Sequence, residues 1–501
     1  MKTLEKIKKS CERFPEKNAF FINNKFYTYR GFSQIVSNIK YSIEKEETKK
    51  GSLIGIIIND DIYTYSSIFA VLFSGNAFVP ISPNNPIDRN INIIEQSEIK
   101  ILLSSEKNSE FENNEKLKAL KILDTTQIEN KLLSFDISNI SENKLAYLLF
   151  TSGSTGVPKG VPITRKALDS FVDAFFALGY KIDENDKFLQ MFDLTFDLSI
   201  MSYVIPLCIG ACVYPVSSKG IKYTGVYDIL ETHEITFALM VPSILSFLRS
   251  YFKDIKLEKL RYSLFCGEAL YNDIVGEWSE CVPNALIQNV YGPTEATIFC
   301  LTYNWNKKYS DEKSFNGIVS IGKPMNNISA IIIGEDLKFV PDGEKGELCL
   351  SGNQLTEGYW KAPEKNNESF FKSEKNSEKF YRTGDICFID KDGDFAYCGR
   401  LDNQIKIQGF RVELSEIEHH VRQITGLANV AAIPLVNKFG NTEIYLFVEN
   451  YKNDTNKIHE YLKSKIPQYM LPVDISSIPV FPLTTNGKIN RKVLLELIKL
   501  N

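Results

Sequence analysis

Hydroxyl residues and glycines crowd one stretch of this chain, Thr151-Ser152-Gly153-Ser154-Thr155-Gly156. It follows the apolar run Leu148-Leu149-Phe150 and leads into Val157-Pro158-Lys159-Gly160. Glycines allow tight turns and close backbone approach, hydroxyls and N–H groups donate to an anion, and Lys159 adds positive charge. The chemistry that fits is the cradling of a phosphate, against the plainer alternative of a polar surface turn. The spacing differs from Gly-x4-Gly-Lys-Ser/Thr, so that nucleotide-binding loop does not follow. Elsewhere Tyr291 offers a ring face on which a purine could stack, an interaction worth about 1–3 kcal/mol, against the plainer alternative of a core tyrosine in a strand. Glu295 and Thr294 follow Pro293 in a turn, where the carboxylate could hold Mg2+ against phosphates and the hydroxyl could donate to one, or Glu295 could be a solvated loop charge. Asp385, after Thr383-Gly384, could accept from two ribose hydroxyls or simply cap its turn. Arg400 could meet the same ligand or form a structural ion pair.

Such residues need elements to hold them. Residues 52–58 are a short continuous apolar run, the pattern of a strand buried on both faces. A helical period follows from Tyr63 to Ser74, then a strand at Ala77-Phe78-Val79-Pro80-Ile81. The alternation returns at 100–104, 235–241 and 262–265, which predicts an α/β body with parallel strands and crossover helices. Residues 105–145, rich in Lys, Glu, Asn and Ser, read as a solvated excursion with little core. Past about 320, strand-like pieces at 330–333, 346–350 and 395–397 alternate with turns, predicting a β-rich subdomain. Beyond Arg400, helical patterns (414–424, 456–466) alternate with strands (430–436, 443–448), predicting a separate small α+β domain. The expected division is a large body over 1–399 and, past a junction at 400–402 that the resemblance given below makes a hinge to a mobile domain, a small domain over 403–501.

Composition narrows the function classes. With 62 acidic and 58 basic residues the net charge is −4, which gives no basic excess to attract nucleic acid or anionic lipid. The longest apolar stretch, Ser199 to Val216, contains Pro206, Gly210 and Pro215 and reads as buried core, so no membrane insertion is expected. Nine cysteines without a Cys-x-x-Cys pair, and four histidines at no zinc spacing, argue for a reduced cytoplasmic compartment and against a His/Cys metal centre.

In order and spacing these segments resemble the adenylate-forming superfamily: acyl-CoA synthetases, luciferases and the adenylation domains of nonribosomal peptide synthetases. The resemblance rests on the Thr151–Gly160 loop and on residues 73–81, and on Asn289-Val290-Tyr291-Gly292-Pro293-Thr294-Glu295. It extends through Tyr381-Arg382-Thr383-Gly384-Asp385, Gly399-Arg400-Leu401-Asp402, residues 404–413 and residues 482–488. It implies ATP and Mg2+, with Thr151, Ser152, Gly153, Ser154, Thr155, Gly156, Lys159, Gly267, Glu268, Asn289, Tyr291, Gly292, Asp385 and Arg400 around the nucleotide. Glu295 would hold the metal, and Thr294 and Lys488 would act on the reacting phosphate. A cation aimed where negative charge concentrates stabilises an in-line transition state without reorganisation, which is the physical sense of Lys488. The resemblance makes Asp402 a hinge, after whose rotation the loop around Lys406 and Gly409 meets a thiol.

Within that superfamily, Leu194-Thr195-Phe196-Asp197-Leu198-Ser199 resembles the amino-acid-activating branch, in which the Asp pairs with the substrate ammonium. A carboxylate set in an apolar wall is costly unless it meets a cation; a helix-capping Asp is the plainer reading. By the resemblance the substrate pocket comprises Phe196, Asp197, Leu198, Met201, Leu239, Leu264, Cys266, Val290, Ile298 and Phe299. Apart from Asp197 and one thiol it is apolar, so a small or aliphatic amino acid is expected. Leu264-Phe265-Cys266-Gly267-Glu268 is similar to D-alanine:D-alanyl carrier protein ligases, which favours alanine. Leu239, Val290 and Phe299 depart from that subgroup and leave glycine, proline and other aliphatic amino acids open. No Gly-Gly-x-Ser attachment site is present, so the expected acceptor is a separate acyl or peptidyl carrier protein bearing phosphopantetheine. The competing readings are an acyl- or aryl-CoA synthetase, with CoA as acceptor, and a non-catalytic binder.

Overall fold

The computed structural model describes residues 1–500 apart from 47–49, 128–134, 136–139, 154–155, 218–220, 374–376, 403, 428 and 484–488. The chain forms two compact units, one of Met1–Ser82, Ser97–Leu149 and Gly160–Leu401, the other of Pro83–Gln96, Phe150–Lys159 and Asp402–Asn501.

In the first unit the apolar run near residue 55 becomes the strand Leu53–Ile57, which pairs in parallel with Ala77–Ile81 on one side and Ile101–Ser104 on the other. Parallel strands leave no face to water, which is why the run is continuous rather than alternating. The crossover helix Ile62–Phe73 starts where the Asp61 side chain accepts from Thr64 N at 2.8 Å, satisfying one of the donors left open at a helix start. These strands lie in a six-stranded sheet ordered Lys121–Asp124, Ile101–Ser104, Leu53–Ile57, Ala77–Ile81, Leu145–Thr151, Lys159–Thr164. The edge strand Lys121–Asp124 and the buried Phe111 and Leu117 show that the polar stretch after residue 105 does contribute to sheet and core.

A nine-stranded sheet places Leu286–Tyr291, Tyr262–Phe265, Phe237–Met240, Lys187–Gln190 and Cys212–Pro215 side by side, with parallel pairing between each neighbouring pair. Its register sets Leu239 opposite Leu264. The stretch after Ser199 resolves into the buried helix Asp197–Ile209 and the strand Cys212–Pro215. Among the described residues no helix is long and apolar enough to cross a membrane. The β-rich part is a five-stranded antiparallel sheet in which Lys379–Ile389 lies between Gly346–Gly352 and both Phe370–Lys372 and Phe395–Arg400.

The second unit carries the hairpin Gln404–Ile407/Phe410–Glu413 and the sheet Val430–Val436, Thr442–Glu449, Asp474–Ile478. Leu414, Ile417 and Val421 recur along one face of the helix Leu414–Thr425 and pack on Val430, Leu446 and Ile458. The class is α/β with parallel sheets, a β-rich region and an α+β C-terminal part.

Candidate functional site

Strand pairing assembles one polar cluster in the first unit. Asp385 and Arg400 face each other across the antiparallel pair Lys379–Ile389/Phe395–Arg400, and Arg400 Nη1 donates to Asp385 Oδ1 at 2.6 Å. The Tyr291 hydroxyl donates to Oδ2 of the same carboxylate. Burial first, and then the Asp385 charge, push the Tyr291 phenol well above its ordinary pKa. The Thr383-Gly384-Asp385 turn is fixed from behind. Glu347 accepts from Arg382 Nε and Nη2 at 2.8 and 2.7 Å and from Gly384 N at 3.0 Å, and Thr383 Oγ1 donates to Leu348 O. A fixed turn holds the Asp385 carboxylate in one orientation, with its two oxygens accepting from Tyr291 and Arg400. Glu347 was not legible as a site residue, because its partners lie 35 and 37 positions away.

Glu295 sits on the single 3-10 turn Thr294–Ala296 and is fully buried, while Thr294 is half-buried. Its carboxylate Oε1 accepts from the Tyr359 hydroxyl at 2.6 Å, and that hydroxyl lies 3.2 Å from the Tyr381 hydroxyl. Thr297 and Ile298, just after the turn, hold φ values of +55° and +75°. A β-branched residue such as Ile298 adopts that region only under constraint. The constraint is visible at Gly292, where a methyl group would meet Phe299 Cα at 2.4 Å and Ile298 O at 2.9 Å. Asn289 spends both amide hydrogens on Val319 O and Ser320 O. Glu268 Oε2 accepts from Ser243 N, and Gly267 precedes it at φ +93°.

As a metal ligand, Glu295 would act with few protein partners. Among the described residues no group of three His, Cys, Asp or Glu could enclose an ion. A Mg2+ ion held by one carboxylate and completed by phosphate oxygens and water suits such a site.

The apolar residues expected to line the substrate pocket are all part of the main core of the first unit. Leu198, Met201, Leu239, Leu264, Cys266, Val290, Ile298 and Phe299 belong to one buried cluster, with Phe196 packed against it. The Phe299 ring meets Phe171 edge-on at 5.1 Å, so it also fills the core beneath. Asp197 is 5% exposed and is the first residue of the helix Asp197–Ile209 rather than its cap; a negative charge there is favoured by the helix dipole. Burial first, with Asp197 as the next cause, raises the Tyr147 phenol.

The loop Thr151–Lys159 lies in the second unit, and its donors are engaged there. Ser152 Oγ donates to Arg411 O at 2.7 Å, Gly153 N to Glu416 Oε2 at 3.1 Å, and Lys159 Nζ to Glu413 Oε1 at 3.2 Å. Glu416 also pairs with Arg89 at 2.7 Å, both buried. Thr151 Oγ1 contacts Lys159 O, and Gly156 faces the His419 ring. Asp402 Oδ1 accepts from Gln404 N. Lys406 lies opposite Arg411 in the hairpin that turns at Gln408-Gly409. Ser154, Thr155 and Lys488 lie outside the described residues.

Comparison with known proteins follows this geometry. Residues 7–360 match the family model described as AMP-binding enzyme. Zwittermicin A synthase ZmaJ of Bacillus cereus is 30% identical over 96% of this chain and 92% of its own length. Tyrocidine synthase 1 of Brevibacillus parabrevis is 29% identical over 98% of this chain, which spans only 44% of that relative's length. The Vibrio cholerae adenylation domain AlmE, solved in complex with glycyl-adenosine-5'-phosphate, matches 100% of this chain and 98% of its own. Its TM-score is 0.88 at 24% identity, which shows the shared fold.

Proposed function

The chain belongs to the AMP-binding enzyme family, and we propose that it activates a small or aliphatic amino acid, alanine foremost, with ATP and passes it to a carrier thiol. The observation that carries the reading is the Asp197 carboxylate, buried at the head of the helix Asp197–Ile209 beside a mostly apolar core. A substrate ammonium paired with that carboxylate would offset part of its desolvation. The aminoacyl adenylate bound by AlmE is of the product class proposed here.

In the first step a substrate carboxylate oxygen attacks the α-phosphorus. The new O–P bond forms as the bond to pyrophosphate breaks. Tyr291, Asp385 and Arg400 would hold the nucleoside, Thr294 would donate to the α-phosphate, and Lys488 would meet the charge of the transition state. The loop donors Thr151, Ser152, Gly153, Ser154, Thr155, Gly156 and Lys159 would take the remaining phosphates, with Gly267, Glu268, Asn289 and Gly292 shaping the backbone around the nucleotide. Mg2+, held by Glu295, would supply charge neutralisation across the phosphates. The side chain of the amino acid would face Phe196, Leu198, Met201, Leu239, Leu264, Cys266, Val290, Ile298 and Phe299. In the second step the phosphopantetheine thiol of a separate carrier attacks the acyl carbon, and AMP leaves with the electron pair. Rotation at Asp402 would bring Lys406 and Gly409 to that thiol.

The test is ATP–pyrophosphate exchange across amino acids of both hands and a few fatty and aryl acids, on the wild type and on Asp197→Ala. Exchange with a small aliphatic amino acid, lost in Asp197→Ala while a des-amino analogue is still used, supports the reading. Undiminished use of the amino acid by Asp197→Ala overturns it.

A further inference from the structure

One segment wraps the Glu295 turn through three hydrogen bonds. Thr297 Oγ1 donates to Gln354 O, Thr356 N donates to Glu295 O at 2.8 Å, and the Tyr359 hydroxyl donates to Glu295 Oε1 at 2.6 Å. The partners lie 57 to 64 positions apart in sequence, so the tertiary fold makes this wrapping. The Tyr359 phenol has a single hydrogen, and a carboxylate only accepts. That hydrogen therefore goes to Glu295, and across the 3.2 Å contact the Tyr381 hydroxyl donates to Tyr359. The result is a directed chain, Tyr381 to Tyr359 to Glu295, in which each bond polarises the next.

The backbone of Tyr359 is held as firmly as its tip. Asn366 Oδ1 accepts from Tyr359 N at 2.6 Å, and Asn366 Nδ2 donates to Tyr359 O at 3.2 Å. Gly358 makes room for this clamp: it sits at φ +140°, and a methyl group there would meet Asn366 Oδ1 at 2.8 Å. The Tyr359 and Tyr381 rings both pack on Phe370.

We propose that Tyr359, clamped by Asn366, is a positioning residue that sets the orientation of the Glu295 carboxylate toward the metal–nucleotide complex. The inference rests on the reading that Glu295 holds Mg2+, so the test separates the two. Outer partners of metal ligands typically change metal affinity about 10- to 100-fold when removed. Tyr359→Phe keeps the ring and removes only the hydroxyl. It should raise the Mg2+ concentration for half-maximal pyrophosphate exchange about tenfold, leave the amino acid KM in place, and recover the wild-type rate at saturating Mg2+. Binding should shift likewise: titration of Mn2+ into the enzyme–ATP complex, followed by electron paramagnetic resonance, should show Mn2+ affinity lower by the same factor. Asn366→Ala, which leaves both phenols in place, should shift both readouts in the same direction; it serves as the second variant if Tyr359→Phe does not fold. Glu295→Gln is the reference arm. A shift in Glu295→Gln without one in Tyr359→Phe or Asn366→Ala overturns the positioning role alone. No shift in Glu295→Gln overturns the assignment of the metal to Glu295 and the inference with it.

Discussion

Gly292→Ala adds one methyl group where the backbone leaves no space for it. The added carbon would lie 2.4 Å from Phe299 Cα, 2.9 Å from Ile298 O and 3.1 Å from Cys300 N. Ordinary contact between carbons lies at about 3.5–4.0 Å, so the strand end at Tyr291 and the segment 298–300 must separate by about 1 Å. All three neighbours are main chain, so no side chain can rotate out of the way. Overpacking costs about 1–3 kcal/mol, and an all-backbone clash belongs at the upper end, about 3 kcal/mol. For a large domain each kcal/mol lowers Tm by about 2 °C, which makes the expected fall about 6 °C. Ile298 and Phe299 move with the segment, so the amino acid KM should rise together with the loss of stability. The control is Gly276→Ala, in the helix Asn272–Cys281, where an added methyl group has no neighbour within 4 Å. It should stabilise by up to about 1 kcal/mol through helix propensity. Differential scanning calorimetry and pyrophosphate-exchange kinetics on the two variants decide the matter. A Gly292→Ala protein that melts with the wild type and keeps its KM refutes the steric reasoning.

Two further outcomes follow from the second unit. Arg89→Met leaves the fully buried Glu416 without its cation and should cost about 3–5 kcal/mol in denaturant unfolding, whereas Arg89→Met/Glu416→Leu should regain most of that; a double variant no better than the single would show that the pair is not coupled. Burial first, then His419, outweighs the opposing pull of Glu416 and lowers the His420 pKa below 6.5, so folding favours the neutral ring. That contribution is complete above about pH 6.5 and is lost as pH falls through the depressed folded value. His420→Gln should therefore flatten the decline of Tm between pH 7 and 5, and an unchanged decline would remove His420 as its cause.

Much of the architecture was legible because burial on both faces writes itself locally. Residues 77–81 and 430–436 are strands with the bounds their apolar runs suggest, and Leu414, Ile417 and Val421 announce their helix by spacing. The edge strand Lys121–Asp124 was not legible, since an edge strand can be polar and its pairing with Ile101–Ser104 is a tertiary event. The site divides along the same line. Asp385, Arg400 and Tyr291 stood out by motif, and the fold brings them into one cluster. Tyr359, Asn366 and Glu347 carried no local signal, because each acts through a partner supplied by another strand or turn. Sequence also could not show that the Asn289 amide is consumed by Val319 and Ser320.

The loop Thr151–Lys159 has one more consequence. Its hydroxyl, its N–H and its ammonium already have acceptors in Arg411 O, Glu416 and Glu413. A phosphate bound by these three donors would compete with two carboxylates and a carbonyl. Its affinity would then measure a difference between two sets of acceptors, and each exchanged bond would contribute little on its own. Such an exchange rewards a ligand for the number of charged oxygens it brings at once, so a polyphosphate chain is favoured over a single phosphate by replacement stoichiometry alone.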